Sequence, residues 1–121
     1  MKVQGSCHCK ATRFEAAFAP ESVTHCNCSF CAKSGALWAY YDVADVALVS
    51  REDERTYRWK TKTVAHNFCG VCGCRTFSET PDFSTGEPNF EKLRISLNAR
   101  LFDGFDLDAV RVIEIDGKNG W

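Results

Sequence analysis

The sequence predicts a mostly β fold in which many short strands form one small domain. Runs of alternating polar and aromatic or apolar residues recur along the chain, and no segment keeps a 3.6-residue apolar period over ten or more residues. The length of 121 residues suits one folded unit, so we expect a single domain over residues 1–121. The third observation is a set of eight cysteines, which can supplement a modest core by binding metal.

The strand candidates are short runs separated by turn residues. They are residues 11–18, 36–41, 43–50, 56–60, 64–68, 75–78, 93–97 and 110–115. The clearest is 56–60, where polar and aromatic side chains alternate as they do in a half-buried strand. Between the strands the sequence predicts a turn-rich loop over 79–89, one helical turn over 106–109 and a turn at 116–117.

The charge and composition exclude several classes of function. Fifteen Lys and Arg against sixteen Asp and Glu give a formal net charge of -1, so we expect neither nucleic acid nor an anionic membrane as a partner. The N-terminal residues lack the apolar run of a signal peptide, and no stretch approaches the length of a membrane span. We therefore expect a cytoplasmic protein whose cysteines stay reduced.

The cysteines form three tight clusters, and no cysteine lies outside them. The clusters are Cys7 and Cys9; Cys26, Cys28 and Cys31; and Cys69, Cys72 and Cys74. Sulfurs two or three residues apart can turn toward one ion, whereas such short spacing suits disulfides poorly. Zinc is the predicted metal because tetrahedral thiolate sites favour it, with an iron–sulfur cluster as the alternative.

The spacing favours a division of the sulfurs between two zinc ions. Cys7, Cys9, Cys69 and Cys72 would form one saturated, structural site. The middle cluster would then hold the second zinc with three sulfurs and leave one position for an outside ligand, which is typical of a reactive zinc. Two closed four-sulfur sites are the alternative, and in the favoured division Cys74 is left over.

A zinc ion held by three thiolates should favour thiol chemistry over hydrolysis. Three thiolates donate enough charge to weaken the ion as a Lewis acid, and a soft centre prefers a soft fourth ligand. The expected fourth ligand is an incoming small thiol, bound as its thiolate. The alternative is a module that binds a protein partner, in which zinc only holds the sheets together.

The cysteine motifs resemble those of the glutathione-dependent formaldehyde-activating enzyme family, which includes centromere protein V. The matching stretches are 5–9 (GSCHC), 25–35 (HCNCSFCAKSG), 66–73 (HNFCGVCG), 94–98 (RISLN), 101–104 (LFDG) and 116–118 (DGK). The resemblance implies a zinc-bound β-tent fold of several short antiparallel sheets and a carbon–sulfur lyase that joins formaldehyde to glutathione. Lys10 and the extra thiol Cys74 depart from the family pattern.

The resemblance also implies roles for the cysteines. It implies a structural zinc on the first and third clusters, at Cys7, Cys9, Cys69 and Cys72. It implies a catalytic zinc on the middle cluster, at Cys26, Cys28 and Cys31. Two zinc ions per chain and glutathione or a related thiol as the partner follow from this reading.

Other residues near the clusters have weaker signals. Lys33 is a candidate to bind a glutathione carboxylate, with a solvated side chain as the alternative. His25 and His66 adjoin clusters, and we expect them to support the ligands or pack rather than bind zinc. The aromatic residues of 36–41 could wall a pocket, but we expect them in the core.

Overall fold

The structure, a computed structural model, describes residues 2–59, 63–82 and 85–120. Most of these residues lie in strands. The strands are β1 (Val3–Ser6), β2 (Thr12–Ala16), β3 (Ser22–Cys26), β4 (Trp38–Asp42), β5 (Val46–Arg51), β6 (Glu54–Tyr57), β7 (Ala65–Cys69), β8 (Arg75–Asp82), β9 (Asn89–Asn98) and β10 (Arg111–Ile115). The helices are α1 (Ser29–Ser34) and α2 (Gly117–Gly120), with 3-10 turns at Val43–Asp45 and Ala99–Leu101.

The strands form two sheets. A three-stranded sheet has the order β1-β2-β5, and a seven-stranded sheet has the order β10-β3-β4-β9-β8-β7-β6. The pairings between described strands are antiparallel except that of β10 with β3, which is parallel. The fold is therefore mostly β, as predicted, but the larger sheet is mixed rather than purely antiparallel.

The core lies where the two sheets face each other. Its largest fully buried side chains include Tyr41 of β4, Phe14 of β2, Phe77 of β8 and Leu97 of β9. The rings of Phe14 and Phe102 meet edge to face, with centroids 6.0 Å apart, which joins the small sheet to the segment after β9. Burial of these apolar side chains is the main force that holds the sheets together.

A close approach at β1 requires a glycine. A Cβ built on Gly5 would lie 2.3 Å from Cε1 of Phe14 and 3.0 Å from the carbonyl oxygen of Leu101. Because the neighbouring backbone cannot move freely, any side chain at this position would push β1 away from β2. The glycine thus lets β1 pack closely against β2 just before the cysteine cluster that follows it.

The strand predictions agree with the structure in most places. The structure also contains β1 and β3, which the sequence reading missed, and the short helix α1, whose six residues are too few to show a helical period. The predicted loop over 79–89 is wrong at both ends, because β8 continues to Asp82 and β9 begins at Asn89.

Three other predictions are shifted. The predicted strand 56–60 corresponds to β6, which begins earlier and ends at Tyr57, and residue 60 lies outside the described residues. Residues 106–109 form a hydrogen-bonded turn rather than a helical one, and the turn predicted at 116–117 is the start of α2.

Truncation of a central core residue should destabilise the fold strongly. Phe77 is 0% exposed, so Phe77→Ala should lower the free energy of unfolding by about 3–5 kcal/mol through lost transfer energy and a cavity. Phe90, on the same sheet but 59% exposed, is the matched control, and Phe90→Ala should change it by less than about 0.5 kcal/mol. Chemical denaturation of the metal-loaded, reduced proteins measures both, and equal effects would contradict this account of the core.

Candidate metal centres and adjoining cavity

The first and third cysteine clusters meet in space. The sulfurs of Cys7, Cys9, Cys69 and Cys72 all lie within 4.8 Å of one another. Cys7 and Cys9 follow β1 of the small sheet, whereas Cys69 ends β7 of the large sheet. The group therefore joins the two sheets, and it contains the four residues that the spacing assigned to one site.

The distances within this four-sulfur group suit a tetrahedral metal ion. The Cys7 and Cys9 sulfurs are 3.7 Å apart, and those of Cys9 and Cys69 are 3.5 Å apart. Four sulfurs placed about 2.3 Å from one zinc ion would be about 3.8 Å apart, whereas a disulfide would need about 2 Å. All eight cysteines are free thiols. The donor set thus fits a metal ion.

Backbone amides point at these sulfurs. The amide of Thr12 donates to Sγ of Cys7 at 3.3 Å, and that of Val71 donates to Sγ of Cys69 at 3.4 Å. Burial opposes ionisation of Cys72, but hydrogen bonds from the amides of Cys74 and Cys9 bring its pKa down to about 5. These bonds stabilise thiolates, which are the form that binds metal.

The middle cluster forms a second group of three sulfurs. The sulfurs of Cys26, Cys28 and Cys31 lie within 4.8 Å of one another, and all three residues are buried. Cys26 ends β3, and Cys28 is the N-cap of α1, with its sulfur accepting the amide of Cys31 at 3.3 Å. Among the described residues, this group has three members rather than four.

Aromatic side chains cover the three-sulfur group. Trp38 is buried, and its Nε1 donates to Sγ of Cys31 at 3.4 Å. Phe30, Trp59 and Ile115 also pack against the group. Burial raises the pKa of the Cys31 thiol to about 12, so it needs a nearby cation to ionise at neutral pH. A metal ion bound by the three sulfurs would supply that charge.

Cys74 joins neither group. Its side chain is partly buried, and its residue lines a cavity of about 720 Å³ beside α1. Burial raises the pKa of the Cys74 thiol. In the structure this extra thiol is therefore not a fourth member of the three-sulfur group, which was the arrangement that would have closed that group.

The cavity has an aromatic wall. Phe30 of α1, Tyr57 of β6 and Trp59 line it. The rings of Phe30 and Tyr57 stack with centroids 6.0 Å apart. Because Phe30 and Trp59 also pack against the three-sulfur group, they form the partition between that group and the cavity. The aromatic residues of 36–41 are not in this wall: Trp38 and Tyr41 are buried in the core as predicted, whereas Tyr40 is 49% exposed.

The cavity is also lined by cationic side chains. Lys33, Arg75 and Arg100 line it, and no Asp or Glu is among its described lining residues. The Arg100 Nε donates to the carbonyl oxygen of Gly35 at 2.6 Å, which holds that side chain beside α1. The cavity can therefore take an anionic ligand with an apolar part.

The Arg75 guanidinium is held between two rings. Its Cζ lies 5.1 Å from the ring centre of Phe30 and 4.7 Å from that of Phe68. Its Nη1 is buried and has no hydrogen-bond partner among the described residues. A buried donor without a hydrogen-bond partner costs free energy. An anion that bonded to this guanidinium would remove that cost, so it would bind more favourably here than to a solvated arginine. Sequence reasoning missed Arg75 and Arg100, because nothing along the chain joins them to α1.

His66 lies close to the cavity but not in either sulfur group. Its ring stacks on Phe30 with centroids 4.0 Å apart, and its Nδ1 is 2.8 Å from Oγ of Ser78. Burial and the nearby charge of Arg75 lower the pKa of His66 to about 4. His66 therefore stays neutral at pH 7. His25 is also outside the sulfur groups, and its Nδ1 lies 2.7 Å from Oε2 of Glu114.

Comparison with known proteins identifies the family. A family model described as glutathione-dependent formaldehyde-activating enzyme matches residues 2–96, which include both sulfur groups. The chain belongs to the glutathione-dependent formaldehyde-activating enzyme family. This confirms the resemblance that the cysteine motifs indicated.

A solved structure shares this fold. The crystal structure of a Rhodobacter sphaeroides protein is similar over 91% of this chain and 99% of that one, with 27% sequence identity and a TM-score of 0.68.

The helices that the structure describes in the present chain are all too short to span a membrane.

The neutral state of His66 can be tested by titration. NMR of the histidine rings, with His66 assigned from the spectrum of His66→Gln, should show a ring that is neutral from pH 6 to 8 and titrates at about pH 4. The sign follows from burial, which disfavours the charged form and lowers the pKa below the ordinary histidine value. A midpoint near the ordinary value would contradict the described packing of His66 against Phe30.

Proposed function

We propose that this protein is a zinc-dependent carbon–sulfur lyase-type enzyme that acts on glutathione or a related small-thiol adduct, with a formaldehyde-type aldehyde as the second substrate. The observation that carries the proposal is the buried three-sulfur group beside a cationic, aromatic-walled cavity. Membership of a formaldehyde-activating enzyme family supports the thiol and the aldehyde. The whole chain, 1–121, would act as one catalytic domain.

Two zinc ions per chain are part of the proposal. Cys7, Cys9, Cys69 and Cys72 would hold a structural ion, because four thiolates saturate a tetrahedral site. The other three cysteines, Cys26, Cys28 and Cys31, would hold the reactive ion and leave its fourth position to the substrate. Eight free cysteines suit a reducing compartment, so we propose a cytoplasmic location.

The reaction joins a thiol to a carbonyl carbon. The sulfur of the thiol forms a bond to the aldehyde carbon, the carbon–oxygen π bond breaks, and the proton of the thiol ends on the new hydroxyl oxygen. The reverse reaction breaks the same carbon–sulfur bond. When bound, zinc would supply a soft cation that lowers the pKa of the incoming thiol and favours its thiolate.

The chain's own residues would position the substrate and exclude water. Trp38 orients Cys31 through its hydrogen bond to Sγ, and Phe30 and Trp59 cover the sulfur group on the cavity side. Lys33 would bind a carboxylate of glutathione at the rim of the cavity, since it lies one helical turn from Phe30.

Loss of one middle cysteine should abolish turnover and leave the fold intact. Cys28→Ser should retain one zinc ion per chain, a native circular dichroism spectrum and no measurable thiol–aldehyde activity, because the structural group is untouched. Cys74→Ser is the matched control for metal content and should retain two ions, because Cys74 belongs to neither sulfur group. Metal analysis and a turnover assay measure these outcomes. If Cys28→Ser instead keeps turnover, or if the wild type has two saturated sites and no turnover, a protein-binding module replaces the enzyme.

Removal of the Lys33 charge should weaken substrate binding more than chemistry. Lys33→Ala should raise the KM for glutathione about 2–5-fold with little change in kcat, as expected for one exposed ion pair. Lys92, an exposed lysine on β9, is the control, and Lys92→Ala should leave KM unchanged. Equal KM values for the two variants would show that Lys33 is only a solvated side chain.

A further inference from the structure

The C-terminal segment holds the loop between two of the middle cysteines. Strand β10 runs parallel to β3, and in this register Ile115 lies opposite Cys26. Beyond the strand ends the pairing continues, because the amide of Asn27 donates to the carbonyl oxygen of Ile115 at 3.2 Å. Residue 27 thus remains in contact with the C-terminal segment although it is 88 positions away from residue 115 along the chain (115 minus 27).

Both polar atoms of the Asn27 side chain form hydrogen bonds to the segment that follows β10. Its Nδ2 donates to Oδ1 of Asp116 at 2.9 Å, and its Oδ1 accepts the amide of Lys118 at 2.9 Å. Together with the main-chain bond to Ile115, this single residue makes three hydrogen bonds to 115–118. A side chain whose two polar atoms are both hydrogen-bonded is restricted to one rotamer. The same bonds restrict the backbone conformation of the loop that carries it.

Asp116 is itself fixed by the turn that follows it. Its Oδ2 accepts Nδ2 of Asn119 at 2.8 Å, and its Oδ1 accepts the amide of Asn119 at 3.4 Å. This is the pattern of an N-cap residue, here on the single turn α2. The carboxylate therefore offers Asn27 an acceptor whose position is set by α2 and β10.

The position of Asn27 in the chain gives these bonds a consequence for the metal site. Asn27 is the middle residue of Cys26-Asn27-Cys28, so its backbone angles decide whether the two flanking sulfurs converge. In the structure they do, with the amide of Cys28 donating to Sγ of Cys26 at 3.4 Å. The backbone around Asn27 thus brings the two sulfurs toward the same point.

We propose that Asn27 and Asp116 are positioning residues that preorganise the three-sulfur group for metal. The inference rests on the proposed function, because it assumes that Cys26, Cys28 and Cys31 bind the reactive ion. The clasp, meaning Asn27, Asp116 and the amide of Lys118, acts on the orientation of the ligands and touches no reacting atom. Residues that hold metal ligands in place typically change metal affinity 10–100-fold when they are replaced.

The clasp should matter much less to the fold than to the metal. Its bonds are exposed to solvent, and exposed hydrogen bonds of this kind contribute little to the free energy of unfolding. A loop without the clasp samples conformations in which the sulfurs diverge, and an ion must then select the competent one. Loss of the clasp should therefore lower the metal affinity of the three-sulfur group only. The metal affinity of the four-sulfur group should stay unchanged and serves as the reference within the same protein.

Metal retention by the intact, zinc-loaded chain tests the proposal. Zinc release to a chromophoric chelator, followed over chelator concentration, should show two classes of ion in the wild type. Asn27→Ala and Asp116→Ala should each weaken the more weakly held class about 10-fold or more and leave the other class unchanged. The double variant should be no weaker than the single ones, because both substitutions break the same contact.

A matched control and a spectroscopic readout separate positioning from general damage. Asp106 makes the same type of bond within its own turn, from the amide of Asp108 at 3.0 Å, and Asp106→Ala should not change zinc release. Cobalt substitution should show weakened thiolate-to-cobalt absorption for only one of the two sites in the clasp variants, with thermal unfolding unchanged.

The outcomes are distinguishable from failure of the proposed function. If the wild type binds two ions and the clasp variants release both at the same chelator concentrations as the wild type, the positioning role is wrong while the enzyme proposal stands. If both sites weaken together, the clasp serves the fold and the proposal is again wrong. If the wild type binds metal only at the four-sulfur group, the proposed function and this inference both fail.

Discussion

The rest of the structure depends on the convergence of four sulfurs from two sheets. Cys9 and Cys69 are 60 residues apart in the chain, yet their sulfurs lie 3.5 Å apart. One comes from the end of the small sheet and the other from the end of β7, so an ion at this point would add a further link between the two sheets. For a chain of 121 residues with a modest core, such a link adds stability that burial alone supplies sparingly.

The two sulfur groups differ in how their surroundings prepare them. In the first group, the backbone amides of Thr12 and Val71 donate hydrogen bonds to cysteine sulfurs, which stabilises the thiolate form. In the second group, the sulfurs of Cys26 and Cys28 each accept a hydrogen bond from a backbone amide. The sulfur of Cys31 instead accepts the indole N–H of Trp38, and its side chain is buried. A metal site with three protein ligands rather than four would be better suited to exchange than to permanent closure.

Local signals in the sequence were enough to predict which cysteine sulfurs lie together but not to predict the cavity. The spacing of Cys7, Cys9, Cys69 and Cys72 separated them from Cys74, and the structure brings those four sulfurs together and leaves Cys74 outside. Short-range geometry around a C-x-x-C turn makes such a division predictable. The cavity needs Arg100 beside Gly35, a pairing created only when β9 lies next to β4, and strand order cannot be read from local alternation. The helix α1 was missed because six residues carry too little periodicity.

The short helix α1 explains how one element serves both the sulfurs and the cavity. Phe30, Lys33 and Ser34 are spaced at i, i+3 and i+4, so they share the face that lines the cavity. Cys31 lies on the opposite, buried face. Because Cys28 caps the helix and Gly35 ends it with φ of 70°, α1 is fixed at both ends. The turn that places Phe30 and Lys33 in the cavity therefore also carries Cys31, so 29–34 contributes to the cavity and to the sulfur group together.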